Sequence, residues 1–150
     1  MTTYRERLIA SPWAFIATAL VIPASLLVFL PINVTAGVVV AIVLYAGCVL
    51  LLSWGSPVIA VGDGAIRAGR ATLPLAAVRG VTVFRADEAT LERGQRLDAR
   101  AWLLIRGWIS PVVRIDLDDP VDPTPYWLVS TRRPEQLAAA IETAKAGLPA

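Results

Sequence analysis

From Leu8 to Trp54 the chain contains no Asp, Glu, Lys or Arg, although charged residues make up 17% of the whole. This stretch is close to a third of the 150 residues, and it constrains the fold more than anything else in the sequence. Pro31-Ile32-Asn33 divides it into two apolar runs, 8–30 and 34–54. At about 1.5 Å per helical residue each run is roughly 30–35 Å long, enough to cross a hydrocarbon core of about 30 Å. Backbone polar groups in lipid must be satisfied inside the segment or by a neighbour, so both runs are expected to be helices. The expectation is a transmembrane helical hairpin.

Composition agrees. Hydrophobic residues are 56% of the chain and the mean hydropathy is +0.62, against about 45–50% apolar for a soluble domain. The residues after Trp54 suffice for one small domain. The net charge of +2 is too small an excess to argue for a nucleic-acid partner. All but one of the 14 basic residues are Arg, Lys145 being the exception. There is one cysteine, Cys48, and no histidine. The chain therefore has no internal disulfide, no Ser-His-Asp or Cys-His catalytic set, and none of the usual zinc ligands apart from Cys48 and carboxylates. No cofactor is expected.

In chain order, residues 1–7 read as a short polar head, and the first apolar run as an uncleaved signal anchor because it is too long for a secretory h-region. Pro23 predicts a kink in the first helix. Asn33 is placed to cap the second. Gly37 and Ala41, four apart, form a small-xxx-small step that lets helices approach closely. Arg5, Arg7, Arg67 and Arg70 flank the hairpin while its central turn has no charge, so the positive-inside rule places both ends in the cytoplasm. This makes a multi-pass protein of the cell membrane.

Past Pro57 the period shifts to two. Val58–Val61 and Ala65–Ala68 read as strands around a Gly62-Asp63-Gly64 turn. Gly69–Pro74 reads as a turn and Gly80–Arg85 as a strand. Asp87–Arg100 reads as a long charged connection with a helical turn near Ala89–Glu92. Ala101–Arg106 and Val112–Leu117 read as strands paired through a turn at Gly107–Pro111, and Tyr126–Val129 as the last strand. Over 134–147, Pro134 and Glu135 suit a helix amino terminus, and Leu137, Ile141, Ala144 and Leu148 make one apolar face. The fold class is thus a membrane protein of α+β type: a two-helix hairpin over 8–54, then a small antiparallel sheet or barrel over 58–150 closed by an amphipathic helix.

Three features are similar to bacterial membrane proteins with pleckstrin-homology-like domains: the Val58–Ala68 hairpin, Leu73-Pro74-Leu75 with Val78, and the helix after Arg133-Pro134-Glu135. Across nearly the whole chain, and most specifically over Asp122–Pro134, the sequence resembles a family of uncharacterised, alanine-rich, two-span membrane proteins of actinobacteria. The resemblance implies topology and location, and supplies no catalytic residues.

Several residues stand out as candidate contacts. Arg132 and Arg133, at the start of the last helix, have the geometry to hold a phosphate or lipid headgroup beside backbone N–H groups, or to tie the helix to Asp118, Asp119 or Asp122. Arg106 joins them as a candidate headgroup ligand. With Arg93, Arg96 and Arg100 it also suggests apposition to an anionic leaflet. Trp108 and Ile109, read as a hairpin tip, are candidates for a partner or bilayer contact. Asp116, Asp118, Asp119 and Asp122 crowd one loop, without the glycine and terminal Glu of an EF-hand. Ser110 and Ser130 have no evident base. The expected function is that of a non-catalytic, membrane-anchored binding or scaffold protein, whose cytoplasmic domain contacts a protein partner or anionic lipid. The alternatives are a membrane-surface enzyme of lipid or envelope metabolism, using the Asp loop with Arg132 and Arg133, and a structural subunit of a membrane complex.

Overall fold

The computed structural model describes residues 2–148. The chain forms two compact units, Ile9–Ser56 on its own and Met1–Leu8 with Pro57–Ala150.

The first unit is an apolar hairpin. Helices α1 (Pro12–Thr18) and α2 (Val21–Phe29) form its first arm, and α3 (Val34–Trp54) its second. Both arms are long and apolar enough to cross a membrane by length and composition. The irregularity expected at Pro23 is a tightened turn at Ala19–Leu20, where the backbone keeps right-handed helical dihedrals. Proline has no N–H for the carbonyl four residues back; that carbonyl, on Ala19, accepts from Ile22 N instead, at 3.0 Å. Asn33 caps α3, its side chain accepting from Ala36 N at 3.1 Å. Gly37 and Ala41 are both buried. A Cβ on Gly37 would come within 2.9 Å of Phe29 Cβ, so close helix approach requires the missing side chain here. A Cβ on Gly47, further along this helix, would meet nothing.

The second unit begins before the hairpin. Residues 2–7 are strand β1 (Thr2–Arg7) rather than a detached polar head. It pairs antiparallel with β2 (Val58–Gly62), with Arg7 opposite Val58, and Leu8 N donates to Pro57 O at 2.9 Å. The hairpin is thus an insertion in the loop between the first two strands, and the β unit does not start at Val58. The first apolar run loses Leu8 to this unit for the same reason: strand alternation sends Tyr4, Glu6 and Leu8 inward, and Leu8 is fully buried. Strands β3 (Ala65–Ala68) and β4 (Ala71–Pro74) complete a four-stranded antiparallel meander, β1-β2-β3-β4. Asp63 and Gly64, both at positive φ, make the tight two-residue turn between β2 and β3. The segment expected to be a turn at 69–74 contains β4.

A 3-10 turn (Leu75–Ala77) leads to β5 (Val78–Phe84) and helix α4 (Ala86–Arg93), which is longer than the expected helical turn. Strands β6 (Trp102–Leu104), β7 (Val112–Leu117) and β8 (Tyr126–Ser130) form a second sheet with β5, in the order β5-β7-β8-β6. The expected β6–β7 hairpin does not form. Strand β7 already has β5 and β8 as its two neighbours, so β6 takes the free edge of β8 and runs parallel to it. Trp102 then stacks on Trp127, with ring centroids 4.1 Å apart. Helix α5 (Pro134–Ala146) closes the unit. Its Leu137 and Ile141 are fully buried in a core that also holds Leu8, Ile59, Ile66 and Ile115. A smaller cluster of Ala89, Val112, Tyr126 and Leu128 seats α4.

Candidate functional site

The loop between β8 and α5 is held by a buried carboxylate from β1. Glu6 Oε2 accepts from Tyr4 OH at 2.7 Å and from Thr131 Oγ1, and Glu6 Oε1 accepts from Arg132 N at 3.0 Å. Thr131 Oγ1 in turn accepts from Arg133 N at 3.1 Å. Thr131 is fully buried and Glu6 nearly so. A buried carboxylate is tolerated only when its lone pairs are used, and here three donors converge on it. Burial, followed by the neighbouring Glu6 carboxylate, outweighs the Thr131 hydrogen bond and pushes the Tyr4 hydroxyl up to about 12.

This network fixes the backbone of Arg132 and Arg133 and leaves both side chains exposed at the amino end of α5. Arg5 and Arg7, the outward residues of β1, face the same hollow of about 200 Å³, which Arg5, Glu6, Arg7, Arg132 and Arg133 line. Two of the three arginines proposed from sequence are therefore brought together. Arg106 does not line that hollow. Its N–H donates to Ser130 Oγ at 3.0 Å and its Nη1 to the Ile105 carbonyl at 3.1 Å.

Other candidates fare differently. Arg106 O accepts from Ile109 N at 2.9 Å, and this turn folds Ile109 into the core at 2% exposure, so it is no surface contact. Trp108 keeps 38% exposure. Arg93 donates to the carbonyls of Ala89 and Ile109. Arg96 pairs with Glu88 and Glu92, and Arg100 with Asp98 at 2.9 Å. The Arg100 side chain, and then its backbone N–H, hold the Asp98 carboxyl down at about 2. Each of these arginines thus has a partner within the β unit.

In the Asp-rich loop, Asp119 Oδ1 accepts from Val121 N and Asp122 Oδ1 from Thr124 N, each at 2.9 Å, while Asp116 holds Arg114 at 2.8 Å. Among the described residues no three metal-ligating side chains gather. Arg114 also lies over the Tyr126 ring, 4.1 Å from its centroid, and reaches buried Glu92. This network seats α4 on the second sheet.

Arg5 and Arg7 were not anticipated as site residues. The signal lay in the alternation of Tyr4, Glu6 and Leu8 with Arg5 and Arg7, which marks a strand with one buried face.

Residues 3–141 match the model of a family described as protein of unknown function (DUF3093). No curated protein matches the chain. No solved structure does either.

Proposed function

The chain belongs to the DUF3093 family of proteins of unknown function, and we propose that it is a membrane-anchored, non-catalytic binding module. In this reading the hairpin crosses the bilayer twice and holds the β unit at the cytoplasmic face, where it contacts a protein partner or lipid headgroups. One observation carries it: the β1–β2 ladder closes across the hairpin. Paired strands lie about 5 Å apart, whereas a single crossing would separate the two ends by about 30 Å. With Leu8 bonded to Pro57, an inserted segment that enters a bilayer has to return to the side it left, which fits two crossings.

Side chains support the same reading. Trp13, Leu20, Leu27, Ile42, Leu51 and Trp54 are all more than 60% exposed on the hairpin, as helices that are apolar all round should be in lipid. Arg5, Arg7, Arg67 and Arg70 lie on the β unit and none on the 31–33 turn, which favours the cytoplasmic side. A four-stranded meander, a second sheet and a closing carboxy-terminal helix support the pleckstrin-homology-like reading of the domain.

The experiment is alkaline carbonate extraction of native membranes, combined with protease protection of tags at the two termini. Retention in the pellet with both tags on the cytoplasmic side is the expected result. Release into the aqueous fraction, or tags on opposite faces, overturns it.

A further inference from the structure

Four arginines on or beside the second sheet hold carboxylates. Arg85 holds Glu135, Arg96 holds Glu88 and Glu92, Arg100 holds Asp98, and Arg114 holds Asp116 and Glu92. The outward face of the first sheet is different. Among the described residues, neither Arg5 nor Arg67 on that face, nor Arg133 in the β8–α5 loop, has a carboxylate within ion-pair distance.

The register explains how they gather. Arg5 lies opposite Ala60, and Ala60 opposite Arg67. Two exposed arginines therefore flank an alanine across three strands, roughly 10 Å apart at Cα. Small residues leave the floor between them open: Arg5, Val58, Ala60, Arg67 and Gly69 line a hollow of about 270 Å³. Arg5 is also the shared wall with the Arg7, Arg132 and Arg133 hollow. Glu6, the one acidic residue lining either, is spent on Tyr4, Thr131 and Arg132 N. The β2–β3 hairpin carries a single carboxylate, Asp63, in its turn at the far end from Val58. Arg7, opposite Val58, stands one step from Leu8, where the chain departs for the hairpin.

A concave floor of small side chains rimmed by guanidiniums suits a phosphate group, which arginine holds through paired hydrogen bonds. Its strands run directly in sequence into the proposed anchor, which suits a phosphate borne by a lipid. We infer that this face binds the headgroup phosphate of an anionic phospholipid, with Arg5 and Arg67 as the principal ligands. The inference rests on the membrane-anchored reading above.

The test uses the full chain in neutral detergent. Native mass spectrometry compares its apparent affinity for phosphatidylglycerol and phosphatidylcholine. Wild type is expected to prefer phosphatidylglycerol. Each arginine removed should lower that preference about fivefold, so Arg5→Gln with Arg67→Gln should lower it by more than tenfold. Ala60→Leu should lower it by filling the floor, with no change in charge. Arg100→Gln, an equal change of charge at a paired site, should leave it intact. Unchanged melting of the variants in detergent separates lost binding from lost fold.

Equal affinity for the two lipids, or equal behaviour of wild type and the Arg5/Arg67 double variant, overturns the inference. So does displacement of the lipid by an equimolar amount of inorganic phosphate, or Arg5-dependent capture of a soluble protein without any lipid preference. Extraction of the chain by carbonate would defeat the anchor itself. A chain that stays in the membrane yet shows no lipid preference defeats only the headgroup site.

Discussion

Residues 58–150 should not fold stably by themselves, because β1 lies on the far side of the hairpin. Cutting the chain at Val58 removes Tyr4, at 9% exposure, and Leu8, at 0%, from the core. Full burial of a side chain of this size contributes about 1.5–3 kcal/mol, so the loss is about 3–6 kcal/mol, an upper estimate because an unfolded chain already buries some of that area. The cut also unpairs the whole β1 edge of β2 and strips Thr131 and Arg132 N of their acceptor on Glu6. A small domain has about 5–15 kcal/mol in all. The comparison is a chain in which Leu8 is joined to Pro57 through a short Gly/Asn loop, with Ile9–Ser56 deleted. This reconnected chain should be soluble and melt cooperatively. At about 4–8 °C per kcal/mol for a domain of this size, the 58–150 fragment should melt at least about 12 °C lower, or aggregate. Circular dichroism melts and urea titrations of both chains decide the matter. If the fragment is as stable as the reconnected chain, β1 is dispensable and the inserted-hairpin topology is wrong.

Three further outcomes rest on the same contacts. Glu6→Ala should destabilise the β unit by about 3 kcal/mol, since it orphans buried donors at about 1–3 kcal/mol each, while Glu6→Gln, which keeps an acceptor, should cost less; urea denaturation reads the difference. Tyr4 holds its proton more tightly when folded, so its contribution is complete below about pH 10, its unfolded value, and is lost as pH rises toward about 12. Tyr4→Phe should flatten the fall in melting temperature across that window. Gly37→Val drives a side chain against Phe29 Cβ and should weaken the hairpin by about 1–3 kcal/mol, measured by thermal aggregation in detergent, whereas Gly47→Val should be nearly silent.

The parts of the fold that rest on local chemistry were legible in advance. Asn33 announces its cap, Asp63-Gly64 its turn, and Pro134 with Leu137 and Ile141 the closing helix. Val112–Leu117 appears with its predicted bounds. The misreadings arise where a distant partner decides. Strand β6 looks like one arm of a hairpin, because Gly107 and Pro111 punctuate the segment after it, yet the neighbours of β7 are set by residues far off in sequence. Ile109 follows from that error, since only a true hairpin tip would leave it outside. Residues 2–7 alternate cleanly, but six residues ahead of an apolar helix carry no sign that their partner lies some fifty positions on. The arginine-lined face was hidden for the same reason: Arg5 and Arg67 are neighbours only through the register of two ladders.

The interruption of the first sheet also orders events during synthesis. β1 leaves the ribosome first and has no strand to join until the entire apolar insertion has emerged. At about 5–20 residues per second, that delay is on the order of several seconds. Throughout it, β1 and the residue after it expose Tyr4 and Leu8 without a core to receive them. For a hairpin inserted as proposed above, the sheet could close only once Pro57 had returned to the compartment that holds Leu8. A copy whose second helix fails to come back would keep its strands on opposite faces of the barrier, unable to assemble, and its unfolded carboxy-terminal portion would be open to proteases. If the hairpin is inserted as proposed above, completion of this small domain would act as a check on correct insertion.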